Sequence, residues 1–254
     1  MIRFINSIRI SSAFICLLLV ANIAFAQEKV QFRAWDKVVV TADLYAPHAA
    51  TAPFIVLFHQ ANYSRGEYVE TAPKLNNLGF NCLAVDLRSG EECNGVINET
   101  WKYADSLKME TRYTDAYSDI QAAMSYVKRK YPNARIIILG SSYSASLAIK
   151  YAGDYPKGIS GVVAFSPGEY FSKFGWNRDI IQKSAANVRC PVFITSTPME
   201  KESWQKIYNA IPVSSKTSFL PSSGGKHGSK ALWSDFPESK EYWTALQKFL
   251  ARFK

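Results

Sequence analysis

"RIIILGSSYSASLAIKYA", residues 135–152, changes character halfway along. Ile136 to Leu139 form an unbroken apolar run, the pattern of a strand buried on both faces. The second half reads as a helix running from after Ser142 to about Gly153, so "GSSYS" is the turn between them. A tight strand-to-helix turn strains the residue at its tip and aims that side chain outward. The residues two before and two after the tip must be small, because strand and helix pass closely there. Ser142 meets this condition, with Gly140 before it and Ser144 after it. Ser141 does not, since Leu139 and Tyr143 flank it at those positions, and Ser144 and Ser146 fall inside the helix. A nucleophile in this stretch is therefore Ser142. The Tyr143 amide sits at the helix N-terminus, where unpaired N–H groups and the helix dipole favour negative charge. That suits the oxygen anion formed when a hydroxyl attacks a carbonyl.

Outward from this turn, the chain alternates two patterns. "KVQFRAWDKVVVTADLYAP" reads as a hairpin, with alternation through Val38, Val40, Ala42 and Leu44. Short apolar runs follow at 54–58, 80–85, 135–140, 161–165, 192–195 and 217–220. Helical spacing lies between them: Ala116, Ile120, Ala123 and Val127 share one face of 113–130, which stops before Pro132. Trp243, Leu246, Leu250 and Phe253 share another, and Pro73 marks a helix start or bend. Strands alternating with helices predict an α/β fold with a parallel sheet and the hairpin at one edge. Two long connections, 87–112 and 167–189, leave carboxyl ends of strands, where open α/β sheets place ligands. The second carries Tyr170, Phe171, Phe174 and Trp176, which either line a pocket or pack on helices.

The first 26 residues stand apart. Arg3 and Arg9 precede an apolar run that ends in Ala24-Phe25-Ala26, with no acid. A basic head, a short apolar core and an A-x-A ending describe a signal peptide cleaved before Gln27. The rival reading is an uncleaved N-terminal anchor, although the run is short for a membrane span. Residues 27–254 are expected to form a single domain, because no repeat, low-complexity tract or Pro/Gly linker divides them. A hydrophobic fraction of 48% with 14% aromatic allows a sizeable core and excludes disorder. The net charge of +9 falls to +7 when Arg3 and Arg9 are removed. "KRK" at 128–130 is its only cluster, so the charge reads as solubility, without the stripe that a nucleic-acid surface needs. Three cysteines, Cys82, Cys93 and Cys190, follow the leader, and a disulfide through Cys93 is open. Three histidines without paired spacing argue against a zinc site.

These motifs give the chain its resemblance to the α/β hydrolases, most of all to the dienelactone-hydrolase-like serine hydrolases with a reduced lid, over roughly residues 38–252. The resemblance implies a mostly parallel sheet of about eight strands with helices on both faces. It also implies the chain order serine, acid, histidine. His227, in "SSGGKHGSKALW", is the one histidine beyond Ser142 and matches the family's base. Where relatives often have strand–G-x-x-D, this chain has Thr197 and Glu200 after "VFIT"; Glu200 is then the acid, with Glu202 as rival and Asp179 a distant third. The family's His-Gly after the third strand is His59-Gln60 here, which implies Gln60 N–H as the second oxyanion donor beside Tyr143 N–H. His59 matches a structural histidine and Asp86 a loop-ordering acid.

Together these imply a secreted or periplasmic serine hydrolase that cleaves carboxylic esters through an acyl-enzyme, without a cofactor or metal. Its partner is a small-molecule ester or acylated saccharide; no membrane span is expected after signal cleavage. Acyl transfer or peptide cleavage by the same residues, or a non-catalytic binding protein on the same fold, are the alternatives. The sequence leaves the substrate and the oligomeric state open.

Overall fold

The computed structural model describes residues 27–254, so the expected signal peptide lies outside the described residues. The chain opens with strands β1 (Glu28–Arg33), β2 (Val39–Tyr45) and β3 (Phe54–Phe58), then helix α1 (Thr71–Asn77) and β4 (Asn81–Val85). A small hairpin, β5 (Glu92–Cys93) and β6 (Val96–Ile97), leads to α2 (Glu99–Ser106) and α3 (Ala116–Lys130). Then come β7 (Ile136–Ser141), α4 (Tyr143–Asp154), β8 (Gly161–Phe165), α5 (Ile180–Ala185) and β9 (Val192–Thr195). Helix α6 (Lys201–Ala210), β10 (Thr217–Phe219) and α7 (Ser239–Leu250) complete the order.

Eight strands form one sheet in the order β1-β2-β4-β3-β7-β8-β9-β10. β1 and β2 join antiparallel at one edge, and β4 through β10 are parallel. The period of two splits the central strands between two cores. Phe54, Val56 and Phe58 of β3 with Ile136 and Ile138 of β7 face α3, α4, α5 and α6. Ile55, Leu57, Ile137 and Leu139 face α1 and α7. Each of these side chains is buried, and such burial stabilises by about 1.5–3 kcal/mol per residue. The continuous apolar runs in the sequence thus reflect strands covered on both faces.

The chain leaves β3 for β4 on one side and later enters β7 on the other. The carboxyl ends of β3 and β7 therefore flank the place where the winding reverses, which is where open α/β sheets bind ligands. No helix among the described residues is long and apolar enough to cross a membrane. Cys82, Cys93 and Cys190 are all buried free thiols, so the disulfide left open for Cys93 does not form in this structure.

Candidate active site

The bend after β7 is as tight as its composition requires. Ser142 has φ 60° and ψ −122°, a left-handed backbone that a non-glycine residue adopts only under constraint. The constraint includes the Ser142 N–H, which donates to the Phe165 carbonyl of β8 at 2.7 Å. A Cβ on Gly140 would lie 2.6 Å from the Ala145 backbone and 2.5 Å from the Ser144 carbonyl oxygen, so only glycine fits there. At the other small position, Ser144 serves as more than a spacer. Its hydroxyl accepts the Ser141 N–H at 2.9 Å and donates to the Phe58 carbonyl at 2.7 Å, stitching the bend to the end of β3.

His227 reaches this serine from a distant loop, its Nε2 lying 2.8 Å from Ser142 Oγ. The loop turns through Gly224, Gly225 and Gly228, all at positive φ. His227 Nδ1 contacts Glu200 Oε1. Glu200 closes a one-turn 3-10 helix, Pro198–Glu200, whose cap is Thr197. Its Oε2 accepts the Thr197 N–H at 3.1 Å and the Ser166 hydroxyl at 2.8 Å. One oxygen thus caps the turn while the other holds the imidazole. Burial pushes the Glu200 carboxyl up, but the bonds from His227 and Ser166 outweigh it and hold the group below its ordinary value. Glu202 is exposed on the first turn of α6, and Asp179 pairs with Lys183. The structure therefore brings together Ser142, His227 and Glu200, and neither rival acid.

Composition alone did not reveal Ser166. It sits at φ 53° directly after β8; besides donating to Glu200, its Oγ accepts the Gly228 N–H at 3.0 Å. It fastens the acid's turn to the histidine's loop. A lone serine after a strand carries no mark of this in the sequence.

One expected donor is corrected. The Gln60 N–H does not face the serine as an available amide; it donates to the buried Glu67 carboxylate at 2.8 Å. An amide committed to a carboxylate cannot also receive an oxyanion. The next amide, Ala61 N–H, and the Tyr143 N–H make no hydrogen bond to backbone or side chain among the described residues. His59 has the structural place expected of it. Nδ1–H donates to the Gln60 carbonyl at 2.7 Å and Nε2 accepts the Leu87 N–H at 2.8 Å, which fixes a neutral tautomer. Burial lowers its pKa to about 4. Asp86 orders the neighbouring loop by accepting the Arg65 N–H, the Arg65 guanidinium and the Glu99 N–H.

The aromatics of 167–189 divide between the two expected uses. Phe171 is buried in the core. Phe174 packs on Tyr113, which stacks on Tyr143 at 4.5 Å beside the serine. Tyr170 Oη donates to the Ser166 carbonyl at 2.8 Å. Trp176 and Tyr117 line a groove of about 410 Å³ with Lys150 and Ile180. Among the described residues, no group of three or more His, Cys, Asp or Glu is arranged to hold a metal ion.

A mostly parallel eight-stranded sheet that lifts a strained serine toward a loop imidazole defines the class: this protein is an α/β hydrolase. Residues 49–198, more than half of the chain, match the family described as serine aminopeptidase, S33, and the chain belongs to that family. Solved structures agree on the fold. A dienelactone hydrolase from Anabaena variabilis superposes with TM-score 0.69 at 13% identity, over 90% of this chain and 98% of that one. A thermostable carboxyl esterase from Bacillus coagulans gives 0.68 at 14%, over 90% and 99%. An esterase from Pyrococcus furiosus gives 0.67 at 19%, over 90% and 93%. No curated protein matches the sequence.

Proposed function

We propose that this hydrolase cleaves carboxylic esters through a Ser142–His227–Glu200 triad and an acyl-enzyme. The observation that carries the reading is the 2.8 Å contact between Ser142 Oγ and His227 Nε2, with Glu200 on the far side of the ring. A serine hydroxyl is a weak nucleophile until a base takes its proton, and a carboxylate behind the base fixes its tautomer. Ser142 Oγ attacks the acyl carbon as its proton passes to His227 Nε2. Glu200 holds Nδ1–H and steadies the imidazolium. The tetrahedral oxyanion takes hydrogen bonds from the Tyr143 N–H and, in place of Gln60, the Ala61 N–H. His227 then gives its proton to the leaving alkoxide, and water repeats the sequence to free the acid. Loss of one such donor costs about 3 kcal/mol in barrier height.

The signal-like segment 1–26 supports a secreted or periplasmic location. His227 keeps 39% of its side chain exposed, which supports an open site suited to a water-soluble ester or acylated saccharide. The family description favours a second reading, release of N-terminal residues from peptides. A panel of acetyl, butyryl and long-chain p-nitrophenyl esters beside aminoacyl anilides separates the two. The ester reading expects acetyl esters to turn over fastest. Preference for the anilides overturns it, and preference for long chains overturns the open site.

A further inference from the structure

A buried carboxylate that the proposed chemistry does not use lies beneath this site. Glu67 belongs to the short turn Arg65–Tyr68, every residue of which is buried, and its own exposure is 0%. No ion pair among the described residues includes it. A buried carboxylate without a cation is costly and persists only where donors replace water.

Three donors converge on it: the Gln60 N–H on Oε2 at 2.8 Å, and the hydroxyls of Ser141 and Ser229 on Oε1 at 2.8 and 2.6 Å. The protons can be traced. Ser141 Oγ accepts the Ser229 N–H at 2.8 Å, so its own proton goes to Glu67. Tyr68 Oη gives its proton to the Phe58 carbonyl at 2.7 Å and lies 3.3 Å from Ser229 Oγ, so the shorter Ser229 bond also ends on the carboxylate. Each partner donates, and a carboxylate ion is the form that accepts from all three. Burial pushes the carboxyl up from its ordinary value, and these bonds pull against that push.

The identity of the three donors gives the arrangement its meaning. Gln60 opens the loop of the second oxyanion amide, Ser141 precedes the nucleophile, and Ser229 lies two residues beyond the base. They stand 7, 74 and 162 positions from Glu67 along the chain. The segments also meet sterically, since a Cβ on Gly228 would lie 2.6 Å from Ser141 Oγ and 3.2 Å from Gln60 Oε1.

Resting on the functional reading above, we infer that Glu67 is a positioning residue: its carboxylate bolts the oxyanion loop, the nucleophile bend and the histidine loop into one register. By taking the Gln60 N–H it leaves the following amide, Ala61 N–H, to meet the anion. It touches no substrate and acts through those three segments.

Glu67→Gln tests this in the full-length mature enzyme. The carboxamide keeps the volume but turns a donor toward one of three donors. With p-nitrophenyl acetate, kcat is expected to fall at least about tenfold, as small misplacement of reacting groups does, while KM stays within about twofold. The Gln60 amide proton, held downfield by the carboxylate in the wild type, is expected to move upfield in the ¹H–¹⁵N spectrum. A folded Glu67→Gln enzyme with wild-type kcat and an unmoved Gln60 resonance overturns the inference. If that variant does not fold, Ser229→Ala, which removes one donor, carries the test: a smaller fall in kcat at constant KM supports it, and unchanged kcat overturns it. If the wild type does not hydrolyse the ester, the functional reading fails by itself, and the Gln60 resonance still decides whether the clamp exists.

Discussion

Ser142 carries the backbone strain and, in the proposed mechanism, the chemistry, and the residues around it are selected by space and proton direction. Gly140 can be nothing larger, because the Ala145 backbone stands 2.6 Å from where a Cβ would be. Gly140→Ala should lower stability by about 1–3 kcal/mol through overpacking, read from a denaturant midpoint, and should lower kcat as the bend shifts. A variant with wild-type stability and activity contradicts the tight bend. The sequence showed this residue clearly, since small residues around one serine are a local pattern. It did not show that the Gln60 amide is spent on Glu67. That bond depends on a turn seven residues later folding back under the loop, and side-chain burial of that kind leaves no periodic mark. Glu200 was legible through the resemblance, since Thr197 and Glu200 stand where relatives often have G-x-x-D after the strand; that the same residue also caps its turn is visible in the structure.

Between elements, the site is a set of strand ends laced by hydroxyls. Ser144 ties β7 to β3, and Ser166 ties the turn after β9 to the histidine loop. Ser166→Ala removes a donor from Glu200 and an acceptor from the Gly228 N–H. A buried group left unpaired costs about 1–3 kcal/mol. We therefore expect a lower melting temperature, and a kcat reduced about tenfold as the acid and base loosen. Unchanged kcat would mean that Glu200 holds its place without Ser166. The strands themselves were read closely from their apolar runs: the expected 54–58, 161–165 and 192–195 coincide with β3, β8 and β9. Within 87–112 and 167–189, β5, β6, α2 and α5 left no pattern in the sequence. Two-residue strands and a six-residue helix are too short to show a period, and α2 is largely polar.

Over the whole molecule, two apolar layers on one sheet supply the stability, and buried titratable groups make it depend on pH. His59 is neutral in the fold with a pKa near 4, against about 6.5 when unfolded. Between those values the unfolded chain binds a proton that the folded chain refuses, so stability rises with pH across that window. The contribution is complete above pH 6.5 and is lost as pH falls through 4; the gap corresponds to roughly 3 kcal/mol. Unfolding free energies of wild type and His59→Gln should therefore differ by an amount that varies with pH between 4 and 6.5 and levels off above. A constant difference would show that His59 titrates alike in the folded and unfolded states.

The proposed mechanism stands on Ser142 as a nucleophile activated by His227. The most direct measurement is mass-spectrometric mapping of a fluorophosphonate adduct on the purified mature protein. One adduct is expected, on Ser142, lost in Ser142→Ala and slowed about 1,000-fold or more in His227→Ala. A folded wild-type protein that takes no label, or takes it on another serine, would contradict it.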